Sequence, residues 1–415
     1  RFLEYDRWDV SFVFHKVTRR KPMNIDRWLL PEGSEDLLPP QAKRVERVRR
    51  HLLDLFELWG YEYVMPPMFE YLESLLTGAG EELDLLTFKA LDLLSGRTIG
   101  FRADITPQVA RIDAHSLGKP GVQRLCYVGT TVRTEAASIF SGRNTISAGA
   151  ELYGDASERA DAEIVSLMVE SLKALGLISI HLNLGNVGIF RETIDRLKIQ
   201  ESERDLIFKA VQKKAVTDLE EICQKTGLSE EDAHIIKGLP GLCGNSEVLP
   251  AARVLFNSYP DVLKKIESLE KLQSIVLQRY PDIEIYFDLS ELRGFSYHTG
   301  IVFSANLDGS SQPLAQGGRY DYVGEVFGRN AREATGFSID LVNLAKESTE
   351  QISEKETVLV VGSGQDSQEN FWKKIEELRR KGFIVSESGA MEEHDWLLNY
   401  RNGEWQMIPS RNLDE

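Results

Sequence analysis

Five apolar positions, Val45, Val48, Leu52, Leu55 and Phe56, recur at three- and four-residue intervals. They predict an amphipathic helix over residues 41–59 that Gly60 terminates. Ahead of it, Trp28-Leu29-Leu30-Pro31-Glu32-Gly33 reads as a rigid extended lead-in, and Pro39-Pro40 introduces the helix. Residues 61–65 read as a strand stopped by Pro66-Pro67, since proline has no amide to give to a ladder. Residues 88–94 and 98–102 predict a hairpin about Ser95-Gly96-Arg97, after which Thr106 is expected to cap a helix containing Gln108, Val109, Arg111 and Ile112. Residues 122–131 and 146–154 predict two antiparallel strands joined by a polar loop that carries Arg143. A helix at 159–175 and a strand near 178–185 follow.

Between residues 191 and 280 the pattern changes. Charged helical segments at 202–214, 216–227, 229–237 and 261–278 succeed one another without a clear strand, which predicts a helical insertion between two strands of the main sheet. Strands return at 283–288 and 300–305, flanking a polar turn with Arg293, Tyr297, His298 and Thr299. In Gln316-Gly317-Gly318-Arg319-Tyr320-Asp321 the paired glycines let backbone approach a ligand or a neighbouring strand. A polar, acidic stretch at 347–356 marks a linker. Beyond it come a strand at 358–361, a helix at 368–381, a strand at 383–386 and a hairpin turning on Asn402-Gly403.

This order predicts an α+β fold, a mostly antiparallel sheet with surrounding helices. Residues 23–346 form its core, with the insertion at about 191–280, and residues 357–415 form a small C-terminal α/β domain. Residues 1–22 do not read like the chain after them; Met23 is the more natural start, so this N-terminal extension need not be native.

Composition narrows the function. At 42% hydrophobic and 27% charged, the 415-residue chain is an ordinary globular protein. Its 65 acids against 49 bases, a net charge of −16, make it a poor non-specific binder of nucleic acid or anionic membrane. Cys126, Cys223 and Cys243 have neither metal-ligand spacing nor the look of a disulfide framework, which suits a reducing cytosol. With no membrane-length apolar run and no signal peptide, a cytoplasmic protein is expected, and the scattered histidines add to the cysteine spacing in suggesting no metal; no cofactor is expected.

Three groups of residues carry candidate chemistry. Asp104 stands at a strand-to-helix junction with Thr106, where it can accept from a ligand's amino group or simply cap the helix. Arg133 and Arg143 bracket a hairpin with Glu151; a guanidinium fork suits phosphate or carboxylate, although a solvated loop explains surface arginines equally well. Arg293, Tyr297 and His298 converge at strand ends, His298 serving either a ligand or the core. Gly362-Ser363-Gly364 lacks the further glycine and acid of a nucleotide loop and reads as a tight turn.

Taken in order, these elements resemble the catalytic core of class II aminoacyl-tRNA synthetases, histidyl-tRNA synthetase in particular. Residues 61–67 look like the first class motif, which implies a homodimer interface at Pro66 and Pro67. The stretch from Arg133-Thr134-Glu135 to Glu151 resembles the second motif, with Arg133 and Arg143 at phosphate-contacting positions. Residues 293–300 resemble the histidine-specific signature, and Gln316 to Asp321 with Gly336-Phe337 the approach to the third motif. Departures are evident. Asn343 stands where the third motif has its ATP-gripping arginine, and Asp104 replaces the glutamate for the histidine amino group. Ser147 replaces a pocket glutamine, His298 the second signature tyrosine, and the C-terminal part is short for an anticodon-binding domain.

Longer strings are similar to the ATP phosphoribosyltransferase regulatory subunit family. They are Arg27-Trp28-Leu29-Leu30-Pro31-Glu32-Gly33, Leu75-Leu76-Thr77-Gly78, the run from Asp104 to His115, and Gly149-Ala150-Glu151-Leu152-Tyr153-Gly154. The resemblance implies a catalytically silent synthetase paralogue that joins the short-form catalytic subunit, a glycosyltransferase, in a hetero-oligomer. Such a subunit serves the first step of histidine biosynthesis and carries feedback inhibition by histidine. It further implies that Asp104, Thr106 and Glu151 meet the amino and imidazole groups of histidine, Arg293 its carboxylate, and that Tyr297 and His298 line the pocket. A divergent histidyl-tRNA synthetase and a stand-alone amino-acid sensor are the alternatives.

Overall fold

In a computed structural model, the first helix spans Gln41–Leu58 and buries Val45, Val48, Leu52 and Phe56 in one stripe. Phe56 meets Phe337 of the main sheet edge-on at 6.0 Å, so the periodicity that predicts the helix also seats it. The structure describes residues 29–78, 81–136, 142–197, 199–310, 312–322, 332–349, 355–361, 368–389, 393–401 and 403–410. The N-terminal extension, Arg27-Trp28, the Gly362-Ser363-Gly364 turn, Asn402 and residues 350–354 of the linker lie outside them.

The chain divides into two compact units, Arg1–Ser348 and Thr349–Glu415. Strands of the first are β1 (Glu62–Tyr63), β2 (Phe69–Tyr71), β3 (Phe88–Leu91), β4 (Thr98–Phe101), β5 (Gln123–Val132) and β6 (Asn144–Tyr153). After these come β7 (Ile180–Asn186), β8 (Cys243–Gly244), β9 (Glu284–Asp288), β10 (Ile301–Leu307), β11 (Ala315–Arg319) and β12 (Ala334–Asp340). A nine-stranded sheet runs β1-β5-β6-β12-β11-β10-β7-β9-β8, and β2-β4-β3 form a small sheet of their own. From β5 to β7 every pair is antiparallel; β1–β5 and β7–β9 are parallel. The helix Glu158–Lys173 lies over the sheet with Ile164, Val165, Leu167, Met168 and Leu172 buried, and the helix Pro260–Arg279 packs against it.

Local differences from the sequence reading have physical causes. The lead-in is not extended: Ser34 donates to the Pro31 carbonyl, and Gly33 at φ +75° turns the chain so that its carbonyl accepts the Arg143 amide. The strand expected over 61–65 keeps ladder geometry only at Glu62–Tyr63, since Met65 is exposed and the prolines follow. Within the insertion, Cys243–Gly244 does form a strand, paired with β9, and an unexpected helix spans Val248–Leu255. Two residues are too few to show a period.

The second unit is a four-stranded sheet, β14 (Ile384–Ser386), β13 (Thr357–Val360), β15 (Trp396–Arg401) and β16 (Glu404–Pro409) in spatial order. Its helix Gln368–Arg380 buries Ile375 and Leu378 with Val358 and Leu398. Among the described residues no helix is long and apolar enough to cross a membrane, and no three His, Cys, Asp or Glu side chains are grouped to hold a metal.

Candidate functional site

Alternation along β6 puts Gly149 and Glu151 on one face of the sheet. Glu151 is buried, and three hydroxyls converge on it. Thr106 Oγ1 donates to Oε1 at 3.0 Å, Tyr127 Oη to the same oxygen at 3.3 Å, and Tyr320 Oη to Oε2. Burial pushes this carboxyl up to about 8, against the pull of the three hydroxyl bonds. Glycines make the space. Tyr127 stands across the β5–β6 ladder from Gly149, and Gly336 of β12 stands across from Glu151; a Cβ on either glycine would overlap the tyrosine hydroxyl or the carboxylate.

Tyr297 stacks on Tyr320, with ring centroids 4.9 Å apart and planes at 26°, and meets the His298 ring edge-on at 5.4 Å. The buried Tyr297 Oη and His298 Nδ1 have no hydrogen-bond partner among the described residues. Burial pulls the His298 imidazole down to about 4, so it is neutral at physiological pH. Gly318 leaves room for that ring, since a Cβ there would come within 2.9 Å of Nδ1.

The Asp104–Thr106 junction differs from expectation. Thr106 is the first helical residue, after Ile105, and spends its hydroxyl on Glu151 instead of capping. Asp104 Oδ1 accepts the Thr106 amide at 3.0 Å, a local Asx turn that leaves Asp104 on the cavity wall. Arg293 is engaged as well: its Nε and Nη2 donate to Glu291 Oε2 at 2.9 and 2.7 Å.

A cavity of about 190 Å³ has Asp104, Thr106, Glu151, Arg293, Tyr297 and His298 in its lining. A second, of about 350 Å³, shares Asp104, Arg293, Gln316 and Ser338 with it and adds Arg133, Arg143, Ser147 and Asn343. There, Arg133 Nε donates to the Ala103 carbonyl at 3.1 Å, and Arg143 Nε to the Arg133 carbonyl at 3.2 Å. Asn343 sits in the first turn of the helix Leu341–Glu347 and donates Nδ2 to Asp340 Oδ2 at 3.2 Å. Pro66 and Pro67 stand apart from both cavities. Their carbonyls accept Arg102 Nη1 at 2.9 and 3.4 Å, and Gln108 Nε2 reaches Pro67 at 2.8 Å.

A histidyl-tRNA synthetase family model matches residues 33–344. The chain is 44% identical over 394 residues to the ATP phosphoribosyltransferase regulatory subunit of Ectopseudomonas mendocina (strain ymp), covering 93% of this chain and 98% of that one. It is 44% identical over 390 residues to the protein of the same name in Cellvibrio japonicus (strain Ueda107), covering 92% and 97%. The chain belongs to the ATP phosphoribosyltransferase regulatory subunit family. A solved structure from Bacillus halodurans C, titled as such a regulatory subunit/histidyl-tRNA synthetase, superposes with a TM-score of 0.74 at 26% identity, covering 87% of this chain and 93% of that one. Histidyl-tRNA synthetase from Nostoc sp. PCC 7120 shares the fold, with a TM-score of 0.73 at 18% identity over 92% and 97% of the two chains.

In this regulatory-subunit chain the sequence reading left several pocket residues unassigned. Of the tyrosines that bond Glu151, Tyr127 was legible only as a strand residue and Tyr320 only as part of the Gln316-to-Asp321 segment, and Glu291 as one more acid in a turn. One signal was available: Gly336 and Gly149 lie on strands otherwise rich in larger residues, and a strand glycine marks close approach by a neighbour.

Proposed function

We propose that this regulatory-subunit family member senses histidine in the cavity around Glu151 and conveys its presence to a short-form ATP phosphoribosyltransferase catalytic chain, a glycosyltransferase. The single observation that carries the reading is the lining of that cavity, where carboxylates, hydroxyls, an imidazole and a guanidinium surround a space of small-molecule size. Asp104 receives the amino group, Glu151, Thr106, Tyr297 and His298 surround the imidazole, and Arg293 takes the carboxylate. Glu151 suits an imidazole in either protonation state, since a protonated carboxyl donates and an ionised one accepts. Two copies of the chain associate through the Pro66-Pro67 segment, and the complex works in the cytoplasm. For histidine to regulate, it must favour one arrangement of the complex over another, and couplings of this kind are typically about 1–3 kcal/mol.

The subunit itself is catalytically silent. Support comes from Asn343, a neutral amide bonded to Asp340, at the place in the arginine-lined cavity where the synthetase resemblance implies an ATP-gripping arginine. Losing one preorganised donor to a developing charge costs roughly 2.7–4 kcal/mol of barrier. Arg133 and Arg143 in that cavity favour a second reading, a divergent histidyl-tRNA synthetase.

The deciding experiment measures phosphoribosyl-ATP formation by a purified short-form catalytic subunit, with and without this chain, across a histidine titration. A rate that rises on adding the chain and falls as histidine increases is expected. No change in rate, no co-elution and no inhibition would sink the proposal, and histidine-dependent ATP–pyrophosphate exchange would establish the synthetase reading instead.

A further inference from the structure

Arg293 is already occupied by an acid of its own loop. Besides the two bonds from Nε and Nη2 to Glu291 Oε2, the Arg293 backbone amide donates to Glu291 Oε1 at 2.8 Å, so one residue holds both oxygens of that carboxylate. Glu291 lines the cavity and packs close to β7, where a Cβ on Gly185 would come within 3.2 Å of its own Cβ. The neighbouring acid Asp288 is engaged elsewhere: Lys214 Nζ approaches its Oδ2 at 2.7 Å, and Ser290 donates to its Oδ1 through both amide and hydroxyl. Glu291 is therefore the carboxylate facing the guanidinium, and it takes the Nε and Nη2 donors that a ligand's carboxylate would need.

We propose that Glu291 is an internal competitor for the ligand's carboxylate: it holds Arg293 when no ligand is bound, and an amino acid binds by exchanging its own carboxylate for that of Glu291. This rests on the reading of the cavity as an amino-acid pocket. The exchange keeps the Arg293 guanidinium paired throughout, one carboxylate taking over from another. Glu291 thus sets the affinity, weakening it for any ligand that must displace the clamp. A ligand with the same imidazole and amine but no carboxylate leaves the clamp closed and gains nothing from the loss of Glu291.

The test uses the full chain and Glu291→Gln, which keeps the shape and removes the charge. Each is titrated calorimetrically with histidine and with histamine. In parallel, the rate at which phenylglyoxal modifies Arg293 is followed by peptide mass spectrometry without ligand. Because Arg293 is largely exposed, the gain is modest: Glu291→Gln should bind histidine about 2- to 5-fold tighter, with no gain in histamine affinity. Arg293 should also react faster in the variant. Histidine affinity that stays the same or falls, or equal modification rates in the two proteins, would overturn the clamp. If the wild-type chain takes up no histidine, the amino-acid reading fails by itself. The modification rates then decide the clamp, a faster Arg293 supporting it and an equal one removing it.

Discussion

Gly336 lies directly across the β6–β12 ladder from Glu151, and a Cβ at Gly336 would occupy the space of the Glu151 carboxylate. The floor of the cavity exists because one strand omits a side chain where its neighbour buries an acid. Gly336→Ala should displace Glu151 from its three hydroxyls. The carbonyl of Ala150 crowds the same space, so backbone must shift too, an overpacking cost of about 1–3 kcal/mol. Urea denaturation should show that loss, and calorimetry should show no histidine uptake.

Glu151 makes the stability of the protein without ligand depend on pH in an unusual direction. Its carboxyl, pushed up to about 8, stays protonated in the fold at pH values where the unfolded chain, near 4.5, has already ionised. The folded state then binds more protons, so this group's contribution falls as pH rises from about 4.5 to 8 and is level beyond. Glu151→Gln should remove that decline. Thermal melts of both proteins across the window check it: the difference between them should grow in the variant's favour with pH, and a difference independent of pH would contradict the assignment.

His298 acts in the opposite sense. Its imidazole titrates near 4 in the fold and near 6.5 in the unfolded chain, so acidification protonates the unfolded state first. Stability from this group is present above about 6.5 and lost as pH falls toward 4. His298→Gln should melt with a shallower acid limb than the wild type.

Asp104 combines a local and a ligand-facing role, and two substitutions separate them. Asp104→Ala should abolish histidine inhibition while the hetero-complex still forms. It also strands the Thr106 amide, at a cost of about 1 kcal/mol. Asp104→Asn keeps an acceptor for that amide and should lose inhibition without losing stability. Inhibition at unchanged histidine concentrations in either variant would remove Asp104 from the pocket assignment.

Arg102 ties the cavity wall to the Pro66-Pro67 segment. Two residues ahead of Asp104, it donates Nε to the Thr130 carbonyl at 2.7 Å and Nη1 to both proline carbonyls, in a space kept open by Gly129. Arg102→Met leaves those carbonyls short of a donor and should cost about 2–3 kcal/mol. Gly129→Ala, whose methyl would strike the guanidinium, should act in the same direction. If Pro66 and Pro67 form a homodimer contact, sedimentation should show weakened self-association in both variants.

Local pattern alone determined a good deal of this protein. The stripe from Val45 to Phe56 specified the first helix, two runs of strand formers specified β5 and β6, and the polar turn at 293–299 singled out residues with chemistry to offer. These are properties of spacing, and spacing is written in the chain. Tertiary structure decided what the residues do. Glu151 receives hydroxyls from Thr106, Tyr127 and Tyr320, which lie 45, 24 and 169 positions away, and its proton affinity follows from that burial. Thr106 reads as a helix cap because capping is local, yet its hydroxyl is drawn to a buried carboxylate on another strand. Arg293 reads as a partner for a ligand's carboxylate, and only the folded turn reveals that Glu291 holds it. Burial and long-range partners set the energies of charged and polar groups, and neither can be computed from neighbours in sequence.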